Sequence, residues 1–183
     1  MRPQAPTGPQ TVPTAELAAA TGAVVDEQYG VTTADVTATD WEGAVRRARD
    51  ALGLDLLDLL AVVDELPDGF DVVVRLWSVA GRRAAHLRTR LPRQEPTVAS
   101  LTGVYTGAAW HERQAAEMFG VVFTGHPAPG PLLLAVGGAD RPLRKEHPLA
   151  RRSDRTWPGA DDPAYRGAGG RPPRRRLQPP GAS

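Results

Sequence analysis

Apolar residues recur at helical spacing in two main stretches of this chain and at strand spacing in several others. In the first, Trp41, Ala44, Val45, Ala48, Ala51 and Leu52 form one stripe, with Arg46, Arg47, Arg49 and Asp50 turned outward. Thr39 and Glu42 ahead of it stand at the spacing of a capping box, and Gly53 after it suits a left-handed stop. In the second, Ala108, Glu112, Ala115, Ala116 and Phe119 share a face, so one carboxylate falls inside an apolar stripe. Gly120 closes that helix. A shorter helix is expected from Thr14 to Ala20, ended by Gly22.

Strand signals lie between these helices. Val36 with Thr37 and Thr39 favours an extended segment. Leu54 to Val63 is apolar with aspartates at 55 and 58, and is expected as a short helix passing into a strand at Ala61 to Val63. Pro67-Asp68-Gly69 is a turn, and the valine-dense run from Phe70 to Ala80 reads as a largely buried strand. After a turn at Gly81-Arg82, the run to Leu91 alternates, with Ala85, Leu87 and Thr89 on one face, as a half-exposed antiparallel partner does. Thr97 is expected to cap a short helix through Leu101, and Val121 to Phe123 restart as an extended run before a Gly125-His126-Pro127 turn. The pattern predicts an α+β fold with helices packed on a mixed, mostly antiparallel sheet. One domain over residues 14–150 is expected, between a disordered N-terminal arm, 1–13, and a Pro/Arg/Gly-rich tail, 151–183.

Composition narrows the chemistry. The chain has no cysteine, so its own side chains can form neither a disulfide nor a thiolate-held iron–sulfur cluster. Its longest apolar runs, Leu56 to Leu60 broken by Asp58 and Pro131 to Val136, fall well short of the ~20 residues that span a bilayer. The first ten residues lack the apolar core of a secretory signal, so a cytoplasmic location is expected. Net charge is only +1, but the basic residues, nearly all arginine, crowd the C-terminal end.

Few motifs carry specific chemistry. Glu112, among alanines and a phenylalanine, needs a cation or hydrogen-bond donors to stay ionised, and a structural ion pair is expected ahead of a proton-transfer role. Arg113 and Glu117 stand at i, i+4 and are expected to pair on the helix surface. The histidines His86, His111, His126 and His147 are scattered without metal-site spacing. His126 and His147 each precede proline and suggest fixed turns. No glycine-rich nucleotide loop or nucleophile elbow occurs. The arginines beyond Arg144-Lys145 form a basic exit suited to docking on protein, with RNA binding as the competing use.

The order W-x-E-R-x-x-x-E-M-F-G, then V-x-F-x-G-H-P, then P-L-R-K-E resembles the thirty-kilodalton subunit family of respiratory complex I, the C-type subunit of NADH-quinone oxidoreductase. Glu112, Arg113, Glu117, Phe119 and Gly120 match the family's helix end. Phe123, Gly125, His126 and Pro127 match its F-x-G-H-P turn, and Pro142, Leu143, Arg144 and Lys145 its P-L-R-K element. The resemblance covers roughly residues 34–150, as a divergent member: Gln114 replaces the family's second glutamate, and Gly130 and Pro131 replace an arginine pair. It implies a cofactor-free subunit of the peripheral arm, with flavin mononucleotide and iron–sulfur clusters on partner chains. The implied partners are the quinone-site (D-type) and cluster-bearing (B-type) subunits, and the implied place is the cytoplasmic face of the bacterial membrane. A small subunit of a related membrane-bound hydrogenase, or a free-standing RNA-binding or adaptor domain, are the alternatives.

Overall fold

In the computed structural model, which describes residues 10–134 and 141–148, Arg83 to Pro92 forms the strand around which the domain is built. In chain order the elements are β1 (Gln10–Thr11), α1 (Thr14–Thr21), β2 (Val24–Gln28), β3 (Val31–Asp35), α2 (Trp41–Leu52), β4 (Leu56–Glu65), β5 (Gly69–Ser78), β6 (Arg83–Pro92), β7 (Thr97–Ala99), α3 (Ala108–Phe119) and β8 (Val122–Thr124). The main sheet runs β2-β3-β6-β5-β4, and β1 adds beside β6. Pairing is antiparallel at β2-β3, β4-β5 and β5-β6, and parallel where β6 meets β1 and β3. The protein is thus α+β, with helices on a mixed, mostly antiparallel sheet, as the pattern predicts.

The core follows from alternation. Phe70, Val72, Val74 and Leu76 of β5 and Ala85, Leu87 and Leu91 of β6 point to one face, where they meet Trp41, Ala44, Val45 and Ala48 of α2. Ala51, counted in that stripe from spacing, lies exposed. Gly53 and Gly22 end their helices in the left-handed conformation, as expected.

Five local expectations are corrected. The capping box does not form: Ala38–Asp40 is a 3-10 turn that takes Thr39 inside it, and Glu42 instead binds Arg46 at 2.5 Å. Residues 56–65 form one strand, not a helical turn leading to one. A register shift between Leu57 and Leu59 sets the buried positions at Leu57, Leu60, Val62 and Asp64, an uneven spacing that imitates a helix. Thr97 opens a strand, not a helix, because Val98 finds Phe123 of β8 as a parallel partner far along the chain. The ordered domain also reaches back past residue 14: Gln10 and Thr11 pair with Arg83 and Ala84, and Val12 is fully buried. The extended segment expected at Val36, Thr37 and Thr39 is displaced: the strand β3 ends at Asp35, Thr39 lies in the 3-10 turn, and the sequence pattern does not announce β3's hairpin partner β2. Residues 1–9, and the expected tail 151–183, lie outside the described residues.

Candidate functional site

The family-like residues gather around α3. Its last turn leaves carbonyls that no further helical N–H can reach. Gly120, at φ 78°, turns the chain away and donates its N–H to Ala116. The remaining carbonyls are met by a distant segment. Arg141 Nη1 donates to Glu117 O at 3.2 Å, the Leu143 N–H to Met118 O at 3.4 Å, and Arg144 Nε to Phe119 O at 2.7 Å. Cations here also complement the negative end of the helix dipole. Two cationic side chains therefore cap α3 from outside its own sequence.

That segment is held below by the sheet. Lys145 N–H donates to Asp64 at 2.8 Å, and Arg93 Nη1 donates to the same carboxylate at 2.6 Å. Arg93 also bonds Glu146. Asp64 is 4% exposed, and the Arg93 guanidinium holds its carboxyl below the usual aspartate range. The Phe70 ring lies edge-on to Phe119, centroids 6.3 Å apart, with the Arg93 and Arg144 guanidinium carbons 5.0 and 5.1 Å from its centroid.

Arg113 and Glu117 do not pair with each other as expected. Glu117 accepts the N–H groups of Leu132, Leu133 and Leu134 at 3.3, 2.7 and 2.9 Å, while Arg113 donates to the carbonyls of Gly130 and Pro131. Burial opposes the charge of Glu117, but those three N–H groups and nearby Arg113 outweigh it, and the carboxyl stays below the ordinary glutamate range. The residues standing where the family has its arginine pair are thus gripped through their main chain. Between helix and loop lies a cavity of about 320 Å³, lined among others by Arg113, Glu117, Gly120, Phe123, Leu134 and Arg141.

Glu112 faces the other way and is fully buried. Its hydrogen bonds come from uncharged groups: Ser100 Oγ donates at 2.6 Å and Leu101 N–H at 2.6 Å, so two neutral donors stand where an ion pair was expected. Burial raises its pKa, and those bonds, with His126 nearby, restrain the rise. His126 ties the turn to the start of α3. The Ala128 N–H donates to Nδ1 at 3.0 Å, which leaves the proton on Nε2 to donate to Ala109 O at 3.1 Å. Gly125 sits at φ 82° beside it. Pro127 and the Lys145 side chain are exposed and take no part in this cluster; Pro142 and Leu143 lie on the capping segment.

Asp64, Arg93, Ser100 and Arg141 join the site without having been singled out by the sequence pattern. Asp64 had a signal, since a carboxylate at a strand's buried position is unusual, but it shows only once β4 is read as a strand. The other three are tied in by contacts that span from 12 to 29 residues. Among the described residues no three His, Asp or Glu side chains assemble as a metal-holding group, and no helix is long and apolar enough to cross a membrane.

Residues 34–153 match the family described as respiratory-chain NADH dehydrogenase, 30 Kd subunit. The chain belongs to this family. The NADH-quinone oxidoreductase C subunit of Roseiflexus sp. (strain RS-1) is 39% identical over 100 residues, covering 54% of this chain and 58% of that protein. The C 1 subunit of the enzyme of the same name in Rhizobium meliloti (strain 1021) is 34% identical over 140 residues, 73% of this chain and 69% of its own. Among the first curated relatives matched, the alignments span about half of the relative's length, 58%, 46% and 41%. The solved trypsin-resistant fragment (1-134) of Nqo5 superposes with a TM-score of 0.56 at 25% identity, over 62% of this chain and 95% of that one. A chain of an archaeal membrane-bound sulfane sulfur reductase shares the fold, with a TM-score of 0.60 at 21% identity over 74% and 82%.

Proposed function

We propose that this chain is a structural subunit, without a cofactor of its own, in the peripheral arm of a proton-translocating NADH-quinone oxidoreductase. NADH oxidation, flavin and iron–sulfur electron transfer belong to other subunits. Its partners are the quinone-site (D-type) and cluster-bearing (B-type) subunits, at the cytoplasmic face of the bacterial membrane, and the family-motif residues from Glu112 to Lys145 shape the surface it offers them. The observation that supports this most is where the motif charges go. Arg113, Glu117 and Arg144 each engage main-chain groups, and so pin the 130–134 loop and the 141–147 segment to the end of α3. Charges engaged in this way build a rigid shape for docking, unlike the paired nucleophile and base that covalent catalysis needs.

The test is affinity purification of the full chain from gently solubilised membranes of its own host. The expected result is recovery with the D-type and B-type subunits and NADH-oxidising activity in the eluate. Recovery of the chain alone ends this reading. Recovery with hydrogenase-type subunits and no NADH oxidation would move it to the related complex.

A further inference from the structure

Ten residues long, β4 lies at the end of the sheet order, and among the described residues its outer edge has no strand partner. Exposed edges are usually blunted by lysine, proline or a short strand, because open N–H and C=O groups recruit other strands. β4 is long and holds neither lysine nor proline; the shift at its start and the inward-pointing Asp64 near its end are its protections, and it exposes Leu56, Leu59 and Val63 at 46%, 44% and 42%. Its irregularity lies near the start of the strand, between Leu57 and Leu59, and leaves the run from Leu59 onward in regular register.

A groove follows this edge. Leu59, Leu60, Ala61 and Val62 line it in succession, with Trp110 of α3 and Leu143 on the facing side. Successive strand residues point to opposite faces, so four in a row can line one groove only if the groove runs along the main-chain edge itself. Trp110 is 68% exposed and Leu143 51%, beside the half-buried His111 and Gln114, so the far wall is uncovered and sets apolar and polar positions side by side.

Charge selects the occupant. Asp55 and Asp58 flank the start of β4, Asp58 partly balanced by Arg75 at 3.2 Å, while Glu65 and Asp68 flank its end. A second copy of this chain paired along β4 would bring acid against acid whether the strands ran parallel or antiparallel, which is unfavourable across a strand pair. A foreign strand with cations at its ends meets those acids instead, with Arg75 near the start and Arg90 and Lys145 near the end as the cations beside them.

We propose that the β4 edge and its groove against α3 receive an extended strand from a partner subunit, with apolar side chains at alternate positions and lysine or arginine near both ends. Main-chain bonds to the edge supply affinity, while the Leu59, Trp110 and Leu143 wall reads the alternate side chains. This inference rests on the subunit reading above and names the mode of docking within it.

The experiment uses the full chain in its native complex, carrying the photo-crosslinking residue p-benzoylphenylalanine at Leu59. The control carries it at Val24, which is 78% exposed on the opposite edge strand. The expected product at Leu59 is a crosslink to one partner-subunit segment with alternating apolar residues and flanking cations. Leu59→Lys is expected to lower recovery of that partner roughly tenfold by setting an unpaired charge against its apolar side chains, and Val24→Lys to leave it unchanged. Both substitutions sit at exposed positions, and the melting temperature of each isolated chain checks that the fold is kept. An intact complex with Leu59→Lys, a crosslink to a helix or to a second copy, or no crosslink at Leu59 overturns this inference while the subunit reading stands. Failure of the unaltered chain to recover any partner overturns both.

Discussion

Glu112 and Glu117 lie five residues apart on α3 and are driven in opposite directions. The raised pKa of Glu112 means the native state binds its proton more readily than the unfolded chain does. Its contribution to stability is therefore full below the ordinary value of 4.5 and is lost as pH rises through the raised value. Glutamine reproduces the neutral acid: its oxygen can accept from Leu101, and its amide can donate to Ser100, whose hydroxyl then turns to Thr102 at 2.8 Å. Glu112→Gln should lose less stability than the natural chain as pH rises above 4.5 in chemical denaturation. Glu112→Ala strands the Leu101 N–H and should cost about 1–3 kcal/mol below pH 4.5, and less as pH rises. Glu117 has the reverse sign, with stability present above its ordinary 4.5 and lost as pH falls through the lowered value. Glu117→Gln cannot accept through both oxygens, and amide exchange at Leu132 to Leu134 should rise roughly tenfold at neutral pH. Unchanged exchange there would show that the loop is held by something else. That Glu112 sits in an apolar stripe was legible from spacing alone; that its partners are a hydroxyl and a peptide N–H was not, because both come from the β7 exit.

At the scale of elements, the end of α3 joins three distant pieces of chain. A Cβ on Gly120 would stand 2.8 Å from Arg141 Nε and 2.9 Å from Arg144 Nη2, besides straining the backbone at φ +78°. Gly120→Ala should cost about 1–2 kcal/mol in the left-handed conformation and also displace the arginines. Gly125→Ala is the matched control, since its φ is +82° but nothing lies within 4 Å of the added carbon. Both variants should lower the melting temperature, but only Gly120→Ala should speed exchange at the Leu143 and Lys145 amides, whose acceptors are Met118 O and Asp64. Equal exchange in the two variants would mean that the arginine cap is not what secures the segment. Helix ends were readable here because glycine in a left-handed stop is a local signal. β4 and β7 were misread because a register shift and a remote parallel partner are not.

For the whole molecule, the buried cluster runs from Val12 to Phe123 and draws on nearly every element. The expected domain boundary becomes a proposal about residues 10–148: that piece alone should unfold in one transition, with a midpoint within about 2 °C of the full chain. A broadened or much lower transition would place part of the fold's support elsewhere. Period and composition already dictate the fold class, the α2 and α3 faces and the β5-β6 hairpin, since each depends on residues within one turn or one strand pair of each other. The motif order W-x-E-R-x-x-x-E-M-F-G likewise points to the family before any coordinates. What required the folded chain is the pairing of distant groups. β1 and β3 lie parallel to β6, Asp64 meets Arg93 and Lys145, and Arg141 and Arg144 close the end of α3. Loop closure brings these groups together through the sum of all packing, and that sum is not written in any single window of sequence.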